Sequence, residues 1–266
     1  MSLTPSGADA STPLAFLNTT KDATMISMTA VPTSGAVLAT HAPRPRAARS
    51  RGGPDRWAAA GMALAATLSI VVFALDPEVR VRGARAVLEA VARDASIHRG
   101  VHVAENLFIL LLAHGVASLG LRLGLSRPAV RFGLLAYGAG ALMMLAATTF
   151  DGFITPAIAA AWLAPSHDAG AGLEAIRLAG IAVQSFATVS WGLESLGALA
   201  LSTALLTSGG GRRRLGALGL VAAAAPMVAL AVSGPDMDTM AVVGILLTQA
   251  VWNLTCAAAL WRRDAA

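Results

Sequence analysis

Charge is scarce in this chain: of its 266 residues, 13% are charged, against about a quarter in ordinary soluble domains. Cysteine is almost absent. With Cys256 alone, no intramolecular disulfide and no cysteine-based metal cluster can form. Aromatic residues make up 5%, and none is interleaved with basic residues into a platform on which bases could stack. The formal charge of +5 therefore does not point to a nucleic acid. There is no GxxxxGK[ST] phosphate loop, no HExxH and no GxSxG, so the corresponding nucleotide, metalloprotease and hydrolase chemistries have no motif to rest on. The histidines that fall inside apolar segments, His102 and His114, share one segment. A bis-histidine haem held between helices is excluded on that ground, and no cofactor is expected.

What the chain has is apolar length. Hydrophobic residues make up 56% and are gathered in uncharged windows of about 20 residues, the length that crosses a hydrocarbon core of roughly 30 Å. The spacing predicts six spans, near 57–75, 101–121, 132–150, 175–206, 215–232 and 240–261. The expected fold is all-α: a polytopic transmembrane helical bundle over residues 56–266, with the lipid bilayer as its first partner.

Residues 1–55 are rich in Ser, Thr, Pro and Ala and read as a disordered tail, since such a segment buries too little surface to offset its ordering entropy. The tail ends in a basic stretch, Arg44, Arg46, Arg49, Arg51 and then Arg56. The pattern of a cleavable signal peptide, with an apolar core close behind the first charges, does not occur in it. Met25 and Met28 are alternative starts that would shorten it.

Three features lie outside the six spans. Residues 76–100 carry charges of both signs, and Val79, Ala86, Leu88, Val91 and Ala92 suit a short amphipathic helix at the interface. Residues 152–164, interrupted by Pro156, are too few to cross alone and read as re-entrant, interfacial or a helix extension. Residues 209–214 read as a tight basic turn. Pro226 is expected to kink the fifth span. The segments opening at Arg131 (Arg-Phe-Gly-Leu-Leu-Ala) and Arg214 (Arg-Leu-Gly-Ala-Leu-Gly) echo one another, as a duplicated hairpin or coincidence in such composition would produce.

Orientation follows from the basic residues. Fourteen of the 20 Lys and Arg lie in the N-tail, the 122–131 loop, the 212–214 turn and the C-tail, and six lie in the alternate loops. The positive-inside rule then places both termini in the cytoplasm. Lys21 is the sole lysine; that bias, with so much Ala and Gly, suits a GC-rich bacterial genome and hence an inner (plasma) membrane location.

A few polar residues sit where lipid makes them costly. His98, His102 and Glu105 follow i, i+4, i+7 and lie within about 60° of one another on a helix. His102 and Glu105 have the HxxE spacing of a one-face metal pair, so the three are the candidate metal ligands. The ordinary alternative has both histidines touching headgroups and water, with Glu105 paired to an arginine. His114 faces elsewhere and is expected to hydrogen-bond a neighbouring helix. Glu194, roughly 20 Å of helix from Gly209, falls near mid-membrane, where an ionisable group needs a partner, neutralisation or water. Gln184, Thr188, Trp191, Ser195 and Ser202 form a stripe beside it. Gln249 and Asn253, i and i+4 on the sixth span, either hold helices together or face a polar site. Asp151 either meets water or caps the next helix.

The acid-containing loop before span two, "DGFITPAIAAAW" after span three and "RRRLGALGL" opening span five resemble uncharacterised six- or seven-helix bacterial inner-membrane proteins of a domain-of-unknown-function type. That resemblance implies the fold over about residues 57–261 and carries no site residues with it.

The expected function is small-molecule or ion passage through an outward-facing polar pocket made by Glu194, Glu105, His102, Asp151, Gln249 and Asn253. The first alternative is a non-transporting sensor or assembly partner. The second is an intramembrane metal-dependent enzyme, for which His102, Glu105 and Asp151 would have to converge. The topology has its own test. Reporter fusions after Ser208 and after Ala266 should report cytoplasm, and one after Ser233 the periplasm; a periplasmic C-terminus ends the six-span reading.

Overall fold

In the computed structural model, residues 54–76, 81–233 and 239–262 are described. The chain divides into units 1–49 and 50–266, and every described element belongs to the second. The tail expected to be disordered lies outside the described residues, apart from its last two positions. Those two, Pro54 and Asp55, already belong to the first helix.

Every regular element among the described residues is helical. The chain forms α1 (Pro54–Ala74), α2 (Ala84–Arg93), α3 (Ala95–Leu123), α4 (Pro128–Thr149), a π-helical turn (Phe150–Ile154), α5 (Thr155–Ala161), α6 (Ala169–Leu206), α7 (Gly210–Ser233) and α8 (Thr239–Trp261). Six helices are long and apolar enough to cross a membrane: α1, α3, α4 continued through α5, α6, α7 and α8. The chain is a multi-pass integral membrane protein. Leu64, Leu107, Leu135, Leu142, Ile181, Val221 and Val228 stand exposed on the outside of the bundle, where hydrocarbon, not water, is their solvent.

Residues 152–164 are a helix extension. The π turn inserts between α4 and α5 without breaking the helical path, and the combined element runs 34 residues. Pro156 sits in the first turn of α5, directly after the π turn, where the wider turn accommodates a residue that lacks an N–H for the helical ladder. Asp151 does not cap α5, because it lies inside the π turn. The basic segment 212–214 is not a turn either: it forms the first turns of α7, and the chain reverses at residues 207–209, with Gly209 at φ 76°. α2 is the expected short amphipathic helix. Its Leu88 and Val91 pack with Ala159, Trp162 and Ile176 of the α5–α6 region.

α4 and α6 approach most closely through glycine. A methyl on Gly133 would meet the Gly197 carbonyl at 3.1 Å, and one on Gly197 the Gly133 carbonyl at 2.8 Å. On the other side of α6, a methyl on Gly216 of α7 would meet the Ser202 carbonyl at 2.8 Å. Small residues let backbones touch where no hydrophobic force drives helices together in lipid. Gly133 and Gly216 occupy the same place in the two echoed segments, so the echo coincides with two contacts on one helix.

The helices alternate in direction, which gathers Arg56, Arg122, Arg127, Arg131 and Arg212–Arg214 at one end and sets His98 and His102 at the other. At the arginine end, Arg122 donates to the carbonyls of Leu260 (2.6 Å) and Ala259 (3.1 Å), and to that of Arg262. Arg127 donates to Ser208 Oγ at 2.8 Å and to the Ala204 carbonyl at 3.3 Å. Each guanidinium thereby closes the C-terminal end of another helix, where carbonyls lack intrahelical partners and the dipole favours a cation. Beneath them lies a close-packed core of Met62, Val116, Leu119, Val130, Leu201, Leu205, Cys256 and Leu260.

Arg122 is half-buried and bonds carbonyls of another helix. Arg122→Ala should therefore lower unfolding stability in detergent by about 1–3 kcal/mol. Exposed Arg131→Ala should stay within about 0.5 kcal/mol. Equal losses in the two variants would show that the cap contributes nothing.

Candidate functional site

The histidine half of the bundle is hollow. A cavity of about 350 Å³ lies between α1, α3, α4, the π turn, α6 and α8. It reaches from Asp76 and Asp151 at one level to Tyr137 and Asn253 at the other. Asp151 and Tyr137 are 14 residues apart along one continuous helix, which sets the depth at about 20 Å. The side chains of Asp76 and Asp151 remain 27% and 37% exposed, so access is from the histidine end. The other end is shut. Tyr137 packs on Trp252 with ring centroids 5.5 Å apart, and Trp252 Nε1 donates to Ser202 Oγ at 3.0 Å.

Two polar groups occupy the cavity wall at different depths. Glu194, Gln249, Asn253 and Tyr137 meet at its base. Gln249 Nε2 donates to Glu194 Oε2 at 3.0 Å, and Tyr137 OH to Asn253 Oδ1 at 3.4 Å. Glu194 has this seat because position 140 is glycine. A methyl there would meet Glu194 Cγ at 2.6 Å and the Ser190 carbonyl at 2.9 Å. A second void of about 10 Å³, lined by Glu194, Ser195 and Pro226 among others, adjoins this group and has room for about one water.

His102, Glu105 and Asp151 stand at the mouth with Asp76, and His98 lies behind them. His102 Nδ1 and Glu105 Oε2 are 2.6 Å apart, and a carboxylate at that distance fixes the N–H on Nδ1. His102 Nε2 then faces Asp151 Oδ2 at 3.6 Å. The rings of His98 and His102 stack at 6.0 Å with an interplanar angle of 13°, and His98 Nδ1 lies 3.1 Å from Asp76 Oδ1. Burial pushes the Asp76 carboxyl above its ordinary range, against the opposing pull of His102 and His98. Gly152 makes room for the cluster, since a methyl there would sit 2.5 Å from His102 Cβ. Between the two levels the wall is mostly apolar, with Phe108, Ile109, Met144, Ala147 and Val183. Thr148 interrupts it and donates to Asn106 Oδ1 at 2.6 Å.

All six residues expected to make a polar pocket line this one cavity, three at each level. Of the three candidate metal ligands, His98 and His102 stand together, whereas Glu105 bonds His102 and, among the described residues, no arginine. Gln184 of the α6 stripe lines the cavity and approaches Thr188 at 3.5 Å. His114 differs from expectation: it is exposed on the outside of α3 and makes no hydrogen bond among the described residues. Asp76, Tyr137, Gly140 and Gly152 are not marked out by sequence pattern. Asp76 reads there as one acid among loop arginines, and neither its ring neighbours nor the two glycine contacts leave a mark on local spacing. No protein-family model, curated protein or solved structure matches the chain.

Glycine packing gives a sharp contrast on α4. Gly140→Ala should destabilise the protein by about 1–3 kcal/mol through overpacking against the α6 backbone. Gly138→Ala, with nothing within 4 Å of its added methyl, should be neutral or gain up to about 1 kcal/mol of helix propensity. Detergent unfolding curves of the two variants would decide it, and a harmless Gly140→Ala would mean that Glu194 is not held against α4 as described.

Proposed function

We propose that the protein binds a small molecule carrying positive charge, or a cation, from the non-cytoplasmic side and passes it inward through the bundle. In this reading it lies in a bacterial inner membrane with both termini cytoplasmic and its cavity facing out. The orientation is supported by Arg56, Arg122, Arg127, Arg131 and Arg212–Arg214 all belonging to the end opposite the cavity mouth, as positive-inside orientation requires.

One observation carries the choice of cargo. Among the described residues, the cavity lining includes four acids, Asp76, Glu105, Asp151 and Glu194, and neither arginine nor lysine. Carboxylates at both depths favour a cation over an anion, and Phe73, Phe108, Tyr137 and Trp191 in the same wall supply ring faces that attract cations. The volume suits a small organic cation better than a bare ion, since ligand pockets begin at about 300 Å³. Glu194 is the residue placed to hold the charge, with Gln249 orienting its carboxylate.

Passage requires the arginine end to open. The small void against Pro226 supports a route there: a proline inside α7 removes one backbone bond, which loosens α7 beside Glu194. The sensor or assembly-partner reading would suit polar residues scattered over separate helix faces. Their collection in one cavity favours a cargo.

Purified protein titrated with small primary and quaternary amines should show a rise in Tm that carboxylates of equal size do not produce. Glu194→Gln should fold with a Tm within about 2 °C of wild type, roughly what a few tenths of a kcal/mol produce, and bind amines at least tenfold more weakly. Glu194→Leu should lose about 1–3 kcal/mol of stability by orphaning Gln249. Amine uptake into proteoliposomes separates passage from sensing, because binding without uptake supports the sensor. Absence of amine binding, or binding indifferent to Glu194→Gln, would overturn the reading.

A further inference from the structure

We infer that the mouth of the cavity is a binding site for a divalent transition-metal ion of the zinc class, held by Asp76, His98 and His102. A ligand atom from each of the three lies within 4.8 Å of both others. The second observation is independent of that proximity. Asp76 Oδ1, His98 Nδ1 and His102 Nε2 are all buried, and none makes a hydrogen bond of good geometry among the described residues; Asp76 Oδ1 and His98 Nδ1 face each other only as an ion pair, and His102 Nε2 faces Asp151 Oδ2 at 3.6 Å. Buried polar atoms are nearly always partnered, and an orphaned one costs about 1–3 kcal/mol. Three such atoms turned on one another in one small cluster constitute a donor set whose partner is a cation.

The geometry fits. Zinc bonds of about 2.0–2.2 Å to nitrogen and oxygen at tetrahedral angles put donors roughly 3.3 Å apart, and Asp76 Oδ1 and His98 Nδ1 already stand at 3.1 Å. The tautomer fits as well. Glu105 Oε2 accepts a hydrogen bond from His102 Nδ1–H at 2.6 Å, which leaves the Nε2 lone pair as the ligand. A carboxylate behind a ligating histidine is the usual support of such sites. Asp151 lies outside this cluster of three but 3.6 Å from His102 Nε2, where it is placed to hold a water in the fourth position. Imidazole nitrogen with carboxylate oxygen favours zinc and its neighbours over magnesium or calcium, which prefer all-oxygen sets.

The donors come from three separate segments: the end of α1, the first turns of α3 and, with Asp151, the π turn. An ion would tie these together at the cavity entrance and turn its remaining position toward the cavity. The π turn has a use here, since it carries Asp151 beside the glycine that seats His102. The site shares its mouth carboxylates with the cargo reading, but the residue placed to hold the cargo, Glu194, lies at the base and is no ligand of the ion.

The test uses the full chain purified without a polyhistidine tag, stripped with a chelator and dialysed. Zinc should then bind at one equivalent per chain by calorimetry and by elemental analysis. Cobalt(II) should give the intense visible d–d bands of a four-coordinate ion, and zinc should raise the Tm where magnesium does not. His102→Ala and Asp76→Asn should each weaken zinc binding at least a hundredfold. Glu105→Gln should weaken it by about 10- to 100-fold through the supporting bond, and His114→Ala should leave it unchanged. Should the ligand variants fail to fold, the wild-type cobalt spectrum and stoichiometry still decide. Zinc bound as tightly by the His98→Ala/His102→Ala double variant, or weak octahedral cobalt bands in the wild type, would overturn the site. Glu194→Gln should keep the full zinc stoichiometry whatever happens to amine binding, so the two proposals fail separately.

Discussion

Hydrocarbon offers no hydrogen bond, so a polar atom placed inside a membrane bundle has to find its partner within the bundle. This constraint sorts the polar side chains of the protein into two kinds. Some pair helix to helix, either inside the packing, as Trp252 with Ser202, or within the cavity wall, as Tyr137 with Asn253 and Thr148 with Asn106. Others remain turned on a hollow, and there the same constraint works in reverse. Glu194 with Gln249, and the histidine–carboxylate cluster, line a space large enough for a molecule the chain itself does not supply. The cavity is where the bundle leaves its polar groups for something else to meet.

The division between a solid half and a hollow half comes from where small and large residues fall. At the arginine end, Leu119, Leu201, Leu205 and Leu260 interlock, and Gly133, Gly197 and Gly216 let α4 and α7 press onto α6. At the histidine end Ala147, Ala187 and Trp191 pack in a smaller cluster with Ile245 of α8, and the cavity separates the facing walls beside it. Arg122 and Arg127 then lock the solid end by capping α8 and α6. The arginines that sequence logic assigns to topology thus have a second, structural role, and both rest on the same fact: a cation is stable at a helix C-terminus next to water.

The six crossings are legible in the sequence because their signal is length and lack of charge, and nothing local competes with it. Helix ends are less legible. α3 begins at Ala95, six residues before the apolar run starts, since His98 and Arg99 lower hydropathy without disturbing helical geometry. The 152–164 segment stays ambiguous in sequence because a π turn leaves no period that spacing could reveal. Glu194, Gln249, Asn253, His102, Glu105 and Asp151 are each visible as polar residues in costly places, and that cost is what makes them stand out. Asp76 is not visible: it lies 22 positions from His98 along the chain, and only the antiparallel return of α3 onto α1 brings them together. Gly140 and Gly152 are equally silent, for in a chain with 26 glycines nothing local marks the two that a neighbouring helix needs.

The depth order of the polar groups bears on how charge would move through the protein. A cation leaving water meets carboxylates first at the mouth, where partial exposure keeps the local dielectric high and the attraction modest. It then faces an apolar stretch walled by Phe108, Ile109, Met144 and Val183 before reaching Glu194. Attraction by a carboxylate grows as the surroundings lose water, so the deeper acid exerts the stronger hold on a charge that has shed its hydration. A metal ion resident at the mouth would neutralise Asp76 and leave Glu194 as the dominant anion of the cavity. The mouth would then govern which molecules enter, and the base which of them stay. Beyond the base stand the arginines of the opposite end, whose positive field opposes a cation's exit. A cargo held by Glu194 therefore leaves only when the carboxylate lets go or the packing around Pro226 opens a way between those charges.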